Sequence, residues 1–347
     1  MLLEQFRPES AVPAVGTARD REGSTILWLT IDERASRAFK VMTEQVPDCP
    51  VPGRDPSVWL ERGGAMLEPV APLLVRSLRC ASFLGCPVVV VRGLRVGRAV
   101  PATPYDGVVD PVASHAAIVN LHAVVASLGL HPVAYAKENT STLHAVCPVT
   151  GARGRLSSHG FDAALPFHTD YADRPIDEPV EDQSPAASFL AFAVERAEAE
   201  IPMEFAATRH LLAALTPAQI RVGRTETFAV RAPDIFGGGV TPRVRRLFSA
   251  DGSRCRLNLA TMTGVTERAS RLLRDIREIL ADASMVEKIH VRRGDIVVMD
   301  NQRAIHRRAA FAPRWDGTDR YFIRMSTVRD PGVGLADDPR RPWIWSK

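Results

Sequence analysis

Residues 165–171 read LPFHTDY, an apolar stretch that carries a histidine and an aspartate two positions apart. The stretch predicts a β-strand, and in a strand every second side chain points to the same face. His168 and Asp170 would therefore converge on one point. An imidazole and a carboxylate presented together are two of the three ligands of a 2-His-1-carboxylate triad, which leaves one face of a metal ion open. Taken alone, a His-x-Asp pair is more often structural.

A second histidine follows in residues 294–308. This segment begins at a glycine turn, continues as the apolar run IVVM, turns again at Asp300-Asn301 and enters another predicted strand that carries His306. In a sheet that folds over on itself, His306 can reach the strand with the His-x-Asp pair. By itself, it is also compatible with a core histidine bonded to a carbonyl group.

Two arginines mark the third segment, GTDRYFIRMS at 317–326. Arg320 and Arg324 are four residues apart, so in a strand they share one face. An otherwise apolar strand does not bury two guanidiniums without anionic partners. Those partners are either protein carboxylates or bound carboxylates held bidentately.

Hydrophobic periodicity assigns the rest of the chain to elements. The N-terminal part predicts helices at 24–45, 64–84 and 112–130, loops at 46–57 and 98–112, and a buried strand at 87–93. From there on, strands are predicted at 133–138, 143–149, 165–171, 187–194, 225–231, 244–248, 254–259, 288–292, 295–299 and 320–328. Helices are predicted at 208–213, 216–220 and 266–282. Many short strands favour an all-β sandwich or barrel, with the N-terminal helices packed outside it.

Composition narrows the class of protein. Hydrophobic residues make up 46% and charged residues 24% of the 347 residues, which is typical of a globular chain. The net charge of +4 is spread out, and the basic run at 243–246 is typical of a solvated strand end, so no nucleic-acid partner is expected. No apolar run reaches the ~18 residues that span a bilayer. The start MLLEQFRPES lacks a signal-peptide pattern. The chain has five cysteines, and none of them forms a CxxC pair. This pattern predicts reduced thiols in a cytoplasmic protein. The cysteines are Cys49, Cys80, Cys86, Cys147 and Cys255.

The three segments together resemble the Fe(II)/2-oxoglutarate dioxygenases. The pattern is HTD, then a distal histidine after a buried strand and turn, then an arginine fourteen residues beyond it. Within that class the chain resembles the clavaminate synthase-like group, which includes asparagine and arginine hydroxylases and is related to taurine dioxygenase. YAKEN at 135–139 and LHAVCPV at 143–149 resemble the strand pair before the metal motif, and residues 87–93 resemble an early strand of the group. The likeness runs from about residue 85 to 330.

This resemblance implies a role for each matching residue in metal and cosubstrate binding. His168, Asp170 and His306 would ligate Fe(II). Arg320 would pair with the distal carboxylate of 2-oxoglutarate, and Thr208 would offer its hydroxyl group to the same cosubstrate. Dioxygen would take the last open position on the metal.

The resemblance also implies residues for the substrate. Arg324 would hold a substrate carboxylate and Glu138 would contact a substrate amine, with Asn258 as a further substrate contact. The amino-acid hydroxylases of the group commonly have Glu where this chain has Asp170. Several relatives carry acidic residues where this chain has Asn258 and Ala260. That difference argues against a guanidinium substrate and favours a neutral or weakly polar side chain.

The expected fold is mainly β with flanking helices, a double-stranded β-helix (jelly roll). One domain spans 1–347, with a helical addition at 1–85, the jelly-roll core at 86–330 and a tail at 331–347. The expected function is hydroxylation of an unactivated C–H bond in a free amino acid or a small molecule derived from one, in specialised metabolism. Desaturation or ring formation on the same scaffold stays open. The sequence does not indicate the oligomeric state.

Two other classes of protein compete with this interpretation. A cupin-like metal enzyme that does not use 2-oxoglutarate would leave Arg320 without a purpose. A non-catalytic binding module on a jelly roll has no need of three metal-ligand residues. A nucleic-acid or histone demethylase would want a basic or aromatic-lined groove, and aromatic residues are only 6% of this chain.

Overall fold

The structure is a computed structural model that describes residues 24–46, 55–81, 85–176, 183–198, 200–232 and 241–346. Cys49 and the N-terminal ten residues, for which no signal peptide is predicted, lie outside the described residues. The strands are β1 (Ile26–Thr30), β2 (Val88–Arg92), β3 (His131–Tyr135), β4 (His144–Val146), β5 (Leu165–His168), β6 (Phe189–Arg196), β7 (Met203–Ala207), β8 (Phe228–Val230), β9 (Arg243–Arg245), β10 (Met262–Gly264), β11 (Glu287–Ile289), β12 (Ile296–Asp300), β13 (Ala304–Arg308), β14 (Tyr321–Val328) and β15 (Ile344–Trp345). The helices are α1 (Glu33–Glu44), α2 (Ser57–Val70), α3 (Pro72–Ala81), α4 (His115–Ser127), α5 (Ala136–Asn139), α6 (Thr208–Ala214), α7 (Pro217–Gly223) and α8 (Glu267–Ala281).

An eight-stranded major sheet is apolar on both faces. Its order is β1-β2-β12-β6-β14-β3-β15, and β4 also pairs with β14. Along β2, Val89 and Val91 face an apolar cluster shared with α1 to α4, whereas Val88 and Val90 face a second apolar cluster. Because side chains alternate between the two faces of a strand, a sheet buried on both sides requires a continuous apolar run such as VVVV.

A four-stranded minor sheet covers the second face. Its order is β11-β7-β13-β5. Phe205 of β7 and Ala304 of β13 pack in the same cluster as Val88, Phe192 and Phe322 of the major sheet. A small sheet, β10-β8-β9, lies beside α8 and forms part of a separate apolar cluster. The architecture is therefore mainly sheet with flanking helices, as predicted.

The prediction of a helix at 24–45 is wrong for the residues before Glu33. Residues 26–30 form β1, which pairs in parallel with β2 and extends the major sheet. Leu27 and Leu29 are buried while their neighbours are less so, which is the alternation of a strand. The helix begins only after Asp32, whose side chain accepts a hydrogen bond from the Ala35 N–H group as an N-cap. The N-terminal region is therefore not a purely helical addition.

The helix predicted at 64–84 is two helices. It divides at Ala71, directly before Pro72, because proline disfavours helical backbone in the residue before it. Helix α2 also begins at Ser57, the last residue of the loop predicted at 46–57. Residues 82–84 and 47–54 of these predictions lie outside the described residues.

Most predictions in the rest of the chain are confirmed with shifts at their ends, but the strand predicted at 133–138 ends at Tyr135, and residues 136–138 belong to helix α5. The strand predicted at 165–171 stops at His168. Residues 254–259 contribute only isolated bridges rather than a regular strand. The sequence patterns missed β7, β10 and β15. No helix in the described segments is long and apolar enough to cross a membrane.

Gly63 and Gly64 test the packing of α2 on α4. A Cβ atom on Gly63 would lie 2.8 Å from the backbone N of Ala123, whereas one on Gly64 would lie 3.5 Å from the Cβ of Ala126. We expect Gly63→Ala to lower the free energy of unfolding by about 1–3 kcal/mol, because the helix backbones must separate. Gly64→Ala should be neutral or stabilise by up to ~1 kcal/mol through helix propensity. Urea unfolding measures both, and equal effects would contradict this packing.

Candidate metal centre and its surroundings

Three ligand-type side chains meet where β5 and β13 pair. His306 lies directly opposite His168 in the antiparallel register. The Oδ1 atom of Asp170 is 3.3 Å from Nε2 of His168 and 3.4 Å from Nε2 of His306. One ligand atom from each of the three residues lies within 4.8 Å of the others. The structure thus brings the predicted triad together, although Asp170 lies beyond the end of β5.

Hydrogen bonds on the far side of each ring assign the tautomers. Nδ1 of His168 lies 2.9 Å from the carbonyl oxygen of Pro166, and Nδ1 of His306 lies 3.3 Å from that of Ala304. Each Nδ1–H donates to its carbonyl group, so each Nε2 directs a lone pair toward Asp170. Burial lowers the pKa of His306, and His168 adds to the effect while Asp170 opposes it. A neutral imidazole is the form that binds a metal.

The donor set fits a divalent cation. Two imidazole lone pairs and one carboxylate oxygen converge on one point, and they repel one another unless a cation lies between them. The set of two nitrogens and one oxygen on one face, with the remaining positions open, is the arrangement associated with non-haem Fe(II).

Arg324 holds the second oxygen of Asp170. Its Nη1 donates to Oδ2 of Asp170 at 2.7 Å and its Nη2 donates to Oε1 of Glu138 at 3.0 Å. Burial opposes ionisation of Asp170, but the guanidinium of Arg324 outweighs burial and holds its pKa well below the usual range. Burial likewise opposes ionisation of Glu138, and Arg324 again keeps its pKa low. Both carboxylates are therefore ionised at neutral pH, and Oδ1 of Asp170 stays directed at the histidines.

Tyr171 and His144 complete this polar group, and the sequence patterns did not indicate them. The Tyr171 hydroxyl donates to Oε2 of Glu138 at 2.6 Å, and His144 Nδ1 lies 3.7 Å from Oε1 of the same residue. Tyr171 has a φ of 58°, in the left-handed region that non-glycine residues rarely adopt. The chain therefore turns sharply right after Asp170.

Asn301 fixes the backbone of Asp170 and was read from the sequence only as part of a turn. Its Oδ1 accepts from the Asp170 N–H group at 2.8 Å, and its Nδ2 donates to the carbonyl oxygens of Asp170 at 3.0 Å and Ala187 at 2.8 Å. The side chain is 1% exposed. The only signal available in the sequence was its place between the apolar strand and His306.

Arg320 is buried without a carboxylate partner. In the described part of the chain, no carboxylate lies within 4.0 Å of its guanidinium, which stacks on the Phe322 ring at 4.3 Å. The nearby Glu198 pairs instead with Arg314 at 3.1 Å. Burial and the neighbouring Arg308 lower the pKa of Arg320 to about 10. A desolvated cation beside a second cation creates a strong local preference for an anion.

Thr208 and Asn258 use their side chains for internal hydrogen bonds. The Thr208 hydroxyl donates to the carbonyl oxygen of Gln302 at 3.1 Å. Asn258 pairs with His168 through an isolated bridge, and its Oδ1 accepts from the N–H groups of Ala260 at 3.0 Å and Thr261 at 3.1 Å. Asn258 therefore supports a turn beside the metal-ligand strand.

Comparison with known proteins gives one family match and several relatives. The model of the family "Taurine catabolism dioxygenase TauD, TfdA family" matches residues 204–326. L-asparagine oxygenase of Streptomyces coelicolor is 27% identical over 252 residues, covering 70% of this chain and 71% of that protein. L-lysine 3-hydroxylase of Catenulispora acidiphila is 25% identical over 252 residues, covering 69% of this chain and 66% of that protein.

Solved structures agree on the fold. Asparagine oxygenase in complex with Fe(II), 2S,3S-3-hydroxyasparagine and succinate has a TM-score of 0.79 at 22% identity, covering 92% of this chain and 99% of that one. The oxygenase OrfP in complex with Fe and α-ketoglutaric acid has a TM-score of 0.72 at 20% identity, covering 87% and 94%. At these identities the likeness defines the architecture alone.

Taken together, the matches place the chain among the Fe(II)/2-oxoglutarate-dependent dioxygenases, and the resemblance predicted from its sequence is confirmed. Within that superfamily, residues 204–326 belong to a TauD/TfdA-family domain.

Asn301→Ala tests the support of Asp170. The change removes three buried hydrogen bonds, and we expect it to lower the free energy of unfolding by about 2–4 kcal/mol. Because it also frees the backbone of Asp170, divalent-metal affinity should fall about 10-fold or more. The control is Asn120→Ala, which removes a fully buried amide that donates to the Arg95 carbonyl in the helical layer. Co(II) titration should show normal affinity for that variant, and a similar loss in both would contradict the assigned role.

Proposed function

We propose that this chain is a 2-oxoglutarate-dependent non-haem iron oxygenase that hydroxylates an unactivated C–H bond of a free amino acid or a small molecule derived from one. The observation that carries the proposal is the convergence of two Nε2 lone pairs and Oδ1 of Asp170 on one point, at 3.3 and 3.4 Å. The relatives named above support the reaction class, because their names describe oxygenation or hydroxylation of asparagine and lysine.

His168, Asp170 and His306 hold Fe(II) in this proposal. Iron, 2-oxoglutarate and dioxygen, when bound, supply the oxidising power for the reaction. The protein fixes the three ligands on one face and leaves the other face open. Arg324 keeps Asp170 ionised and occupies its Oδ2, so that only Oδ1 is offered to the metal.

Arg320 binds the distal carboxylate of 2-oxoglutarate. Its planar fork can hold a carboxylate bidentately, and the Phe322 ring beneath it sets the plane of that fork. Arg308 adds a second positive charge but donates to the backbone carbonyl groups of Ala309 and Ala163 at 3.0 and 3.2 Å. Thr208 is a further contact to the cosubstrate, provided that its hydroxyl hydrogen turns away from the Gln302 carbonyl.

Glu138 and Arg324 receive the amino-acid end of the substrate. An α-amino acid is a zwitterion, and its ammonium and carboxylate groups complement an existing carboxylate–guanidinium pair. Arg324 has five N–H donors, and its Nε has no hydrogen-bond partner among the residues that the structure describes. The alternative is that Arg324 is purely structural, since it already pairs with two buried carboxylates.

The sheet arrangement supports a double-stranded β-helix in a single domain. The two sheets pack face to face through one apolar layer, and the antiparallel pairs β6–β12, β6–β14, β7–β13 and β5–β13 connect strands far apart in sequence. Both histidines then lie on the minor sheet, and both arginines lie on or beside β14 of the major sheet. The site lies between the two sheets.

Anaerobic titration tests the proposal. We expect one Fe(II) per chain and a weak visible absorption band on addition of 2-oxoglutarate. His168→Ala and His306→Ala should abolish the band and turnover with the circular dichroism spectrum unchanged, because no other group can fill a coordination position. The control is His290→Ala, which removes an exposed histidine. Wild-type protein that binds Fe(II) but shows no response to 2-oxoglutarate would refute the proposal.

Arg320→Ala tests cosubstrate binding. Loss of a buried bidentate contact with a carboxylate is worth about 2–5 kcal/mol, so we expect the KM for 2-oxoglutarate to rise roughly 30-fold or more. The KM of the prime substrate should change less. Succinate release measures both, with Arg314→Ala as the control for loss of a more exposed arginine nearby. An unchanged dependence on 2-oxoglutarate would rule out this role of Arg320.

A further inference from the structure

Arg256 lies in a segment that pairs, through an isolated bridge, with the strand that carries His168. The bridge between His168 and Asn258 is antiparallel, and the Thr169 N–H group donates to the Leu257 carbonyl oxygen at 2.7 Å. In this register position 256 lies opposite position 170. Alternation then places Arg256 and Asn258 on the face that His168 occupies.

The apolar residues of the same segment confirm the direction. Cys255 and Leu257 pack in one apolar cluster with Phe167, on the face away from His168. Cys255 and Leu257 flank Arg256 and point to that apolar face, so by alternation the Arg256 side chain points to the opposite face. Its guanidinium therefore belongs to the polar side of the segment.

Among the residues that the structure describes, Arg256 has no ion-pair partner. The residue is 5% exposed, and its one hydrogen bond is a 3.5 Å contact from Nη1 to the carbonyl oxygen of Arg246. Across the described ranges, no carboxylate oxygen lies within 4.0 Å of it. Asp173 is near enough to attract it, but Arg245 adds a second positive charge, and burial with Arg245 lowers the pKa of Arg256 to about 9. A buried guanidinium in this state favours an anionic ligand.

Asn258, the polar neighbour of Arg256, does not weaken the preference for an anionic ligand. Asn258 uses its acceptor oxygen for the backbone N–H groups of Ala260 and Thr261. Arg256, on the same face of the segment by alternation, carries hydrogen-bond donors with a positive charge. Such a group discriminates a carboxylate from its amide, because the amide presents an NH₂ group to a donor.

We propose that Arg256 determines the specificity for the substrate side chain by binding a carboxylate there, so that the substrate is an acidic amino acid. This inference rests on the proposed function, in which Glu138 and Arg324 take the amino-acid end. It replaces the expectation of a neutral side chain, which considered positions 258 and 260 but not position 256.

Matched acid and amide substrates test the inference. We expect kcat/KM from succinate release to favour L-aspartate over L-asparagine, or L-glutamate over L-glutamine, by about 30-fold or more. Arg256→Gln should bring that ratio close to one by raising the KM for the acid, and Arg256→Lys should retain part of it. The KM for 2-oxoglutarate and the Fe(II)–2-oxoglutarate absorption band should stay unchanged in both variants. The control is Arg246→Gln, which removes a neighbouring exposed arginine.

The Fe(II)–2-oxoglutarate absorption band distinguishes failure of the proposed function from failure of the inference about Arg256. If it is absent from the wild-type protein, the proposed function fails, and this inference fails with it. If it is present, three outcomes overturn the inference alone. These are wild-type preference for the amides or for basic amino acids, no turnover of either acid, and an acid-to-amide ratio that Arg256→Gln leaves unchanged while thermal stability falls.

Discussion

The ionised carboxylate of Asp170, buried between two sheets, is the constraint on which the site depends. Taking an anion out of water is unfavourable unless several partners compensate for the lost hydration. Arg324 donates to Oδ2 at 2.7 Å and Asn301 bonds the backbone on both sides, whereas Oδ1 faces the Nε2 atoms of His168 and His306, where a cation would bind. These partners come from β5, β13, β14 and the turn between β12 and β13. All four segments must close around the carboxylate to bring these groups together, so the metal centre depends on the tertiary fold.

Charge is distributed unevenly around that centre. Near Asp170 the negative charges of two carboxylates meet the guanidinium of Arg324. Arg320 and Arg256 are each buried without a protein carboxylate in contact among the described residues. Both are favourable positions for small anions. In our proposals these are the cosubstrate at Arg320 and the substrate side chain at Arg256, which places the reacting carbon between two fixed charges.

The major sheet that supports the site is buried on both faces. The major sheet is packed on one face by helices and on the other by the minor sheet, so β2 and β12 have no solvent-facing side. The residues ILWLT of β1 are nearly all apolar, so their alternation appears in the burial and not in the residue types, and the run was taken for the start of a helix. The break between α2 and α3, by contrast, was signalled locally by Pro72.

The sequence by itself determined the triad, the arginine beyond it and the class of enzyme. HTD, the distal histidine and the arginine spacing are patterns in which the chemistry is carried by residue type. Only the tertiary structure decided the roles of Asn301, Arg324 and Arg256. Asn301 bonds a residue 131 positions away, and Arg324 bonds residues 154 and 186 positions away. The strand face to which Arg256 is assigned follows from one bridge between distant segments. Such contacts depend on strand register, and a shift of one residue would turn the same side chains to the opposite face.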